Sequence, residues 1–449
     1  MGKDLIMKVL RHEKCDEIPW VPFAGVHAGF LKGHTAKDVL VDADKLYESL
    51  LEVHKLYTPD GMPIVFDLQI EAEILGCDLM WAEDNPPSVM THPFEDEMVD
   101  PSTLKLPDAK DGRIPMVLDV MRRMKAAVGE NTALYGLICG PLTLASHLRG
   151  SEFFTDMFDE PEYVEALIDY CANVNIRMAD LYLEAGMDVI GVVDPLVSQV
   201  SPSTFEELLA KGFVKVFDHI RKKGSISSFF VCGNATQQMK VMCDTHPDCI
   251  SVDENVDLVE AKKITDQYNI TIGGNIPLTT TMLFGNQKDN MKFVVDLLDN
   301  ITHDNLIISP GCDMPYNIPT ENTIAAAFAV KQTESARNMV AGYEAVDDDI
   351  EIELPDYSAL TKPLIEVFTL DSATCAACTY MLASAMQAKQ EFGDDVDVVE
   401  YKYTIREDIA RIKKMGVKQL PSLYINGELK WSSIIPSRTE LFDELKKYQ

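Results

Sequence analysis

Along the first 341 residues, eight short runs rich in Val, Ile and Phe alternate with longer stretches whose apolar residues recur at helical spacing. The runs are Ile18 to Phe23, Met62 to Phe66, Leu134 to Ile138, Val189 to Val193, Ser228 to Val231, Ile250 to Val252, Ile270 to Ile272 and Leu306 to Ile308. A run that is apolar on both faces needs cover on both faces, and amphipathic helices between runs supply it in a parallel sheet of repeated βα units. Eight such units close into a (β/α)8 TIM barrel, the fold class expected here, with an open doubly wound sheet as the alternative. The segment from Cys77 to Asp111, with Pro86, Pro87, Pro93 and Pro101, interrupts the rhythm and reads as an insertion of hairpin and loop.

Charge marks where the barrel ends. Gly342 to Leu360 carries seven acids and no Lys or Arg, and such a run repels itself and stays extended as a linker. The expected organisation is a barrel domain over 1–341, an acidic linker over 342–360 and a small α/β domain over 361–449. The whole chain holds 40 Lys and Arg against 72 Asp and Glu, a net charge of −32. A broad basic face for nucleic acid is therefore excluded. No apolar stretch is long enough to span a membrane and the start lacks the features of a signal peptide, so a cytoplasmic protein with reduced thiols is expected.

Chemistry in a (β/α)8 barrel sits on the loops after the strands. The first polar residues after the eight runs are His27, Asp67, Cys139, Asp194, Cys232, Glu254, Asn275 and Cys312. Cys232, in Phe229-Phe-Val-Cys-Gly-Asn, and Cys312, in Ser309-Pro-Gly-Cys-Asp, each follow an apolar run and precede a turn. Glu254 occupies the matching place on the strand between them. Two thiolates and a carboxylate suit Zn²⁺, which would let an incoming thiol ionise near neutral pH; the other reading is two small buried apolar residues. Asp194, before Pro195, is a candidate for orienting substrate or protonating a leaving group, and also a routine turn residue. Cys15, Cys77, Cys171, Cys243 and Cys249 have no metal-like spacing, and Cys243, His246 and Cys249 flank what reads as a surface turn.

Ser309-Pro-Gly-Cys-Asp, Val231-Cys-Gly-Asn, Asp253-Glu-Asn-Val-Asp-Leu, Gly274-Asn-Ile-Pro and Gly140-Pro-Leu-Thr-Leu-Ala together resemble the uroporphyrinogen decarboxylase superfamily. The resemblance is to its cobalamin-dependent branch, which moves a methyl group from a methylated corrinoid protein to a thiol such as coenzyme M. It implies a (β/α)8 barrel and zinc ligands at Cys232, Cys312 and Glu254. One departure stands out: the family has His-x-Cys where this chain has Phe230-Val-Cys232, and phenylalanine binds no metal. The site is then weaker, or completed by another rim residue such as His27, or without zinc. A porphyrinogen decarboxylase needs arginines after the first strand, and Pro22 to Phe30 contains neither Arg nor Lys.

Beyond the linker, a strand at Leu364, a Cys375-Ala-Ala-Cys378 that opens a helix, a second strand at Val396 to Tyr403, a helix at Arg406 to Met415, a strand near Leu423 and a last helix follow the order of a thioredoxin-like domain. Leu420-Pro421-Ser422 resembles the cis-proline segment of that family. Cys375, at the helix start, is the expected attacking sulfur of a redox dithiol, and Cys378 its partner. The combined expectation is a methyltransferase that works on a corrinoid or cobalamin carried by a partner protein. Its acceptor is a small thiol or tetrahydrofolate, and the dithiol domain is tethered to it. The alternative is a redox or tetrapyrrole-binding protein with a barrel that holds no zinc.

Overall fold

Seven parallel strands form one sheet in the order Gly61–Pro63, Ala133–Cys139, Val189–Val193, Ile226–Val231, Cys249–Val252, Thr271–Ile276 and Leu306–Pro310. Each is followed by helical segments, as the alternation requires. The expected first strand is reduced to a bridge between Trp20 and Ile308. Pro19 and Pro22 explain this, because proline has no N–H to give to a ladder. The segment still closes the barrel. Val21 N–H donates to Ile308 O at 3.0 Å and Ile308 N–H to Pro19 O at 3.0 Å, while on the other side Asp60 N–H donates to Trp20 O at 2.9 Å. All eight expected runs are thus staves of one barrel. The computed structural model describes residues 2–344, 350–372 and 376–448.

Strand alternation divides the barrel's apolar residues into two layers. Along Ile226–Val231, Phe229 packs outward against Phe205, Phe213 and Phe217 of the helical layer. Phe230 points the other way and joins Val21, Phe23, Phe66, Tyr135, Leu137, Val193 and Ile307 in the lumen. The insertion after Cys77 contains the short hairpin Leu79–Met80 with Ser88–Val89, as its composition indicates. Among the described residues no helix is long and apolar enough to cross a membrane.

The chain divides into two compact units, one of residues 1–197 and 201–345, the other of residues 346–449 with 198–200. In the second, Leu364–Thr369 pairs in parallel with Asp397–Lys402 and antiparallel with Ser422–Ile425. A fourth strand, Glu428–Ser432, was not expected from the sequence. Asn426 and Gly427 both have positive φ, the conformation of a two-residue hairpin turn, and Asn-Gly is the sequence signal for it. The Leu420–Pro421 bond is cis. The linker's last turn packs onto this unit: Tyr357 donates its hydroxyl to Glu366 Oε2 at 2.8 Å.

Candidate active site at the barrel mouth

Cys232 comes two residues after Phe230, so strand parity carries it to the same lumenal side, one step nearer the mouth. Cys312 follows Leu306–Pro310 through Gly311. Although 80 residues separate them, their Cα atoms lie 6.2 Å apart and their sulfurs are joined as a disulfide. Both are half-buried and pack on the lumenal cluster. Its upper surface is aromatic: the Phe230 ring lies 4.8 Å from that of Phe23 and 5.8 Å from that of Phe66, centre to centre. At the position where the resemblance leads to the expectation of a histidine, this chain has an apolar floor beneath two sulfurs.

Three neighbouring loops hold the pair in place. Asp253 is buried; it accepts the N–H of Gly233, next to Cys232, and that of Asn255 at 2.9 Å. Asn275 donates its amide to Asp253 O at 2.8 Å and to Val256 O at 2.7 Å, which locks the turn carrying Glu254. Glu254 Oε1 accepts the Leu278 N–H at 3.2 Å, whereas Oε2 is shut off from solvent with no hydrogen-bond partner. Oε2 lies against Gly311, where a Cβ would collide with it. Any larger residue at 311 therefore has to displace that carboxylate. Burial, and after it the Asp253 carboxylate, push the Glu254 carboxyl up to about 8. Burial likewise pushes Asp253 up to about 6, against the N–H groups that favour its charge.

The remaining rim residues are engaged in holding the fold. His27 has no exposed surface; Nδ1 meets Tyr316 O at 2.8 Å and Nε2 meets the Tyr57 hydroxyl at 2.6 Å. A carbonyl can only accept, so Nδ1 carries the proton and Nε2 accepts from Tyr57. With both nitrogens engaged, His27 does not complete a metal site. Asp194 is fully buried and accepts the Leu142 N–H at 2.9 Å, the Thr143 N–H at 3.1 Å and the Thr143 hydroxyl at 2.6 Å. It anchors the start of helix Pro141–Arg149 and faces no solvent. Burial pushes its carboxyl up to about 7. Asp67 is tied to Arg113 at 2.5 Å, and the guanidinium lies 5.0 Å from the centre of the Trp81 ring. Cys139 ends its strand fully buried, and Cys77, Cys171, Cys243 and Cys249 are buried too, with thiols raised by burial. Cys243 ends a helix and Cys249 begins a strand, so the cluster around His246 forms no site.

Among the described residues, no three His, Cys, Asp or Glu side chains are arranged as a metal cage. The expected ligands Cys232 and Cys312 are instead bonded to each other. Two features still fit a metal: soft sulfurs at an accessible mouth, and a buried carboxylate oxygen without a partner beside the Cys312 loop. Sequence reading missed what Asp253 and Asn275 do, since their bonds join loops that are distant along the chain. In the second unit Cys378 is buried, and its sulfur accepts the Leu370 N–H at 3.3 Å. Cys375 lies outside the described residues.

Residues 1–333 match the uroporphyrinogen decarboxylase (URO-D) family, and residues 364–445 match the thioredoxin domain. The methylcobamide:CoM methyltransferase of Methanosarcina acetivorans is 27% identical over 343 residues, 75% of this chain and 97% of the relative. The uroporphyrinogen decarboxylase of Wolbachia sp. subsp. Brugia malayi is 26% identical over 302 residues, covering 66% of this chain and 83% of the relative. Among solved structures, a methyltransferase from Methanosarcina mazei superposes with a TM-score of 0.68 at 23% identity, over 74% of this chain and 99% of that one, which supports the barrel fold.

Proposed function

The chain belongs to the uroporphyrinogen decarboxylase family, and within it we propose a corrinoid-dependent methyltransferase that passes a methyl group from a methylated corrinoid on a separate protein to a thiol. The observation that carries this reading is the meeting of Cys232 and Cys312 at the mouth of the barrel, with the unpartnered Glu254 Oε2 against Gly311 next to Cys312. A relative alignable over nearly its full length is named a methylcobamide:CoM methyltransferase, which agrees with it. Decarboxylation of a porphyrinogen fits less well. The segment after the first stave, Pro22 to Phe30, has no cation for carboxylate side chains, and the barrel domain holds 52 acids against 28 bases.

In the reduced state the two cysteines present adjacent sulfurs over an apolar floor. A zinc ion held by Cys232, Cys312 and Glu254 would supply Lewis acidity, lowering the pKa of an acceptor thiol toward neutrality. The chain's own residues do the rest. Asp253 and Asn275 fix the loops from which the ligands project, and Glu254 keeps an oxygen that water does not reach beside Gly311. Phe23, Phe66 and Phe230 exclude water beneath the sulfurs, which strengthens local electrostatics. Asp194 acts by positioning, since its oxygens are spent on the start of helix Pro141–Arg149. The acceptor thiolate attacks the methyl carbon, a C–S bond forms, and the cobalt–carbon bond breaks with its electron pair left on cobalt.

The test incubates reduced protein with methylcobalamin and a panel of acceptors, following the cobalamin spectrum for demethylation. Thiol-dependent demethylation that is lost in Cys232→Ser and Cys312→Ser supports the reading. Demethylation only with tetrahydrofolate would replace the acceptor class, and none with any acceptor would remove the reading.

A further inference from the structure

We propose that the barrel mouth selects its acceptor by charge, taking small thiols that are neutral or cationic and turning away those that carry an anionic group. The proposal rests on the reading of this mouth as the methyl-transfer site, and names the substrate class. Backbone N–H groups in the loop after a strand, and at the start of the next helix, can seat an anion. Here the chain's own carboxyls hold those seats. Asp67 accepts the Gln69 N–H at 2.8 Å, Glu71 the Cys139 N–H at 3.2 Å, and Asp313, next to Cys312, the Gly25 N–H at 2.8 Å. Asp194 takes those of Leu142 and Thr143, Asp253 those of Gly233 and Asn255, and Glu254 that of Leu278.

Cations do not offset this ring of acids. Residues 24–31, 67–75, 139–146, 194–204, 232–239, 253–260, 277–287 and 311–323, which follow the eight staves, contain neither Lys nor Arg. Arg113 reaches the rim from the start of helix Ile114–Val128, but it is bonded to Asp67 at 2.5 Å and to Glu73 at 2.6 Å, and its Nη2 is shut off from solvent. The sulfurs of Cys232 and Cys312 are half-buried, so the body of a short thiol that reaches them has to enter the mouth. An anionic group carried in with it loses hydration and gains neither a donor nor a counter-charge. A hydroxyl or ammonium end brings donors, which a ring of carboxyls can accept.

The experiment gives the reduced full chain methylcobalamin and, at equal thiolate concentration, 2-mercaptoethanesulfonate, 2-mercaptoethanol or 2-aminoethanethiol, which differ in the charge at the far end. The neutral and cationic thiols should exceed the sulfonate in kcat/KM by on the order of tenfold, a gap that added salt narrows. Asp67→Asn, which keeps an acceptor for the Gln69 N–H and removes one negative charge, should narrow it too. A second measurement needs no methyl transfer: Cys232 and Cys312 of reduced, metal-free protein are alkylated with neutral iodoacetamide or anionic iodoacetate, with urea-unfolded protein as the reference. Folding should raise the preference for the neutral reagent about tenfold at both cysteines. A sulfonate that matches the neutral thiol, or a gap unchanged in Asp67→Asn, would overturn the proposal and leave the methyl-transfer reading intact. Demethylation with none of these thiols removes that reading, and alkylation then decides: a raised preference supports charge selection at the mouth, and the same ratio in folded and unfolded protein overturns it.

Discussion

Replacing Phe230 with histidine introduces the residue that the family resemblance implies, at a position the structure fills with an aromatic ring. Phe230 is 2% exposed and sits between Phe23 and Phe66. The imidazole forfeits part of a burial worth about 2–3 kcal/mol and aromatic contacts worth about 0.5–1.5 kcal/mol, and it leaves a buried ring nitrogen unpaired at about 1–3 kcal/mol. A net loss of about 4 kcal/mol follows, or roughly 6 °C in the barrel's melting temperature for a domain of this size. Because residue 230 shares its strand face with Cys232, the imidazole also points toward the sulfurs. Zinc at 100 times its dissociation constant would return about 2.7 kcal/mol. The assay is thermal unfolding of reduced protein with and without zinc, alongside zinc stoichiometry by elemental analysis. A metal-free Phe230→His variant within about 1 kcal/mol of wild type would refute the packing argument. Zinc stabilisation no greater than in wild type would refute the argument from strand parity.

Three further outcomes are expected. Burial holds the His27 imidazole down to about 4, from an ordinary value of 6.5. The folded protein therefore binds fewer protons than the unfolded chain between these values. The His27 contribution to barrel stability is full above pH 6.5 and falls by about 3 kcal/mol as pH drops toward 4; the difference in melting temperature between wild type and His27→Gln should change with pH over that range, and a pH-independent difference would count against this assignment. Gly311→Ala pushes a Cβ into Glu254 Oε2; displacement of that carboxylate should cost about 100-fold in methyl transfer, measured as kcat/KM, with little change in melting temperature. Asn275→Ala leaves Asp253 O and Val256 O without their donor and should destabilise the barrel by about 2–4 kcal/mol, read from denaturant unfolding.

Much of this architecture is legible in the chain because it depends on local pattern. Runs apolar on both faces, separated by helix-spaced stretches, read as staves wherever they occur. The one stave that shrank to a bridge did so at Pro19 and Pro22, which are visible in the sequence. The Asn426-Gly427 hairpin also carried a local signal, and a closer reading of that dipeptide finds the fourth strand of the thioredoxin unit. The rim residues were placed correctly along the chain but not distinguished by task. His27, Asp194, Asp67 and Cys139 stand at or just after the ends of their staves, much as Cys232 and Cys312 do. Nothing in their own segments says that Tyr57 and Tyr316 occupy both nitrogens of His27, or that Leu142 and Thr143 occupy the oxygens of Asp194.

The sequence by itself determined the barrel, the second domain, the two cysteine segments and the phenylalanine two residues before the first of them, since each is a matter of residue type and period over a few positions. Tertiary structure alone decided that Cys232 and Cys312 meet, that Phe230 forms the floor beneath them, and that Glu254 keeps one oxygen unpaired. Those outcomes depend on which loops a closed barrel brings together. A buried polar atom takes its partner from whatever lies within about 3 Å, however far away along the chain.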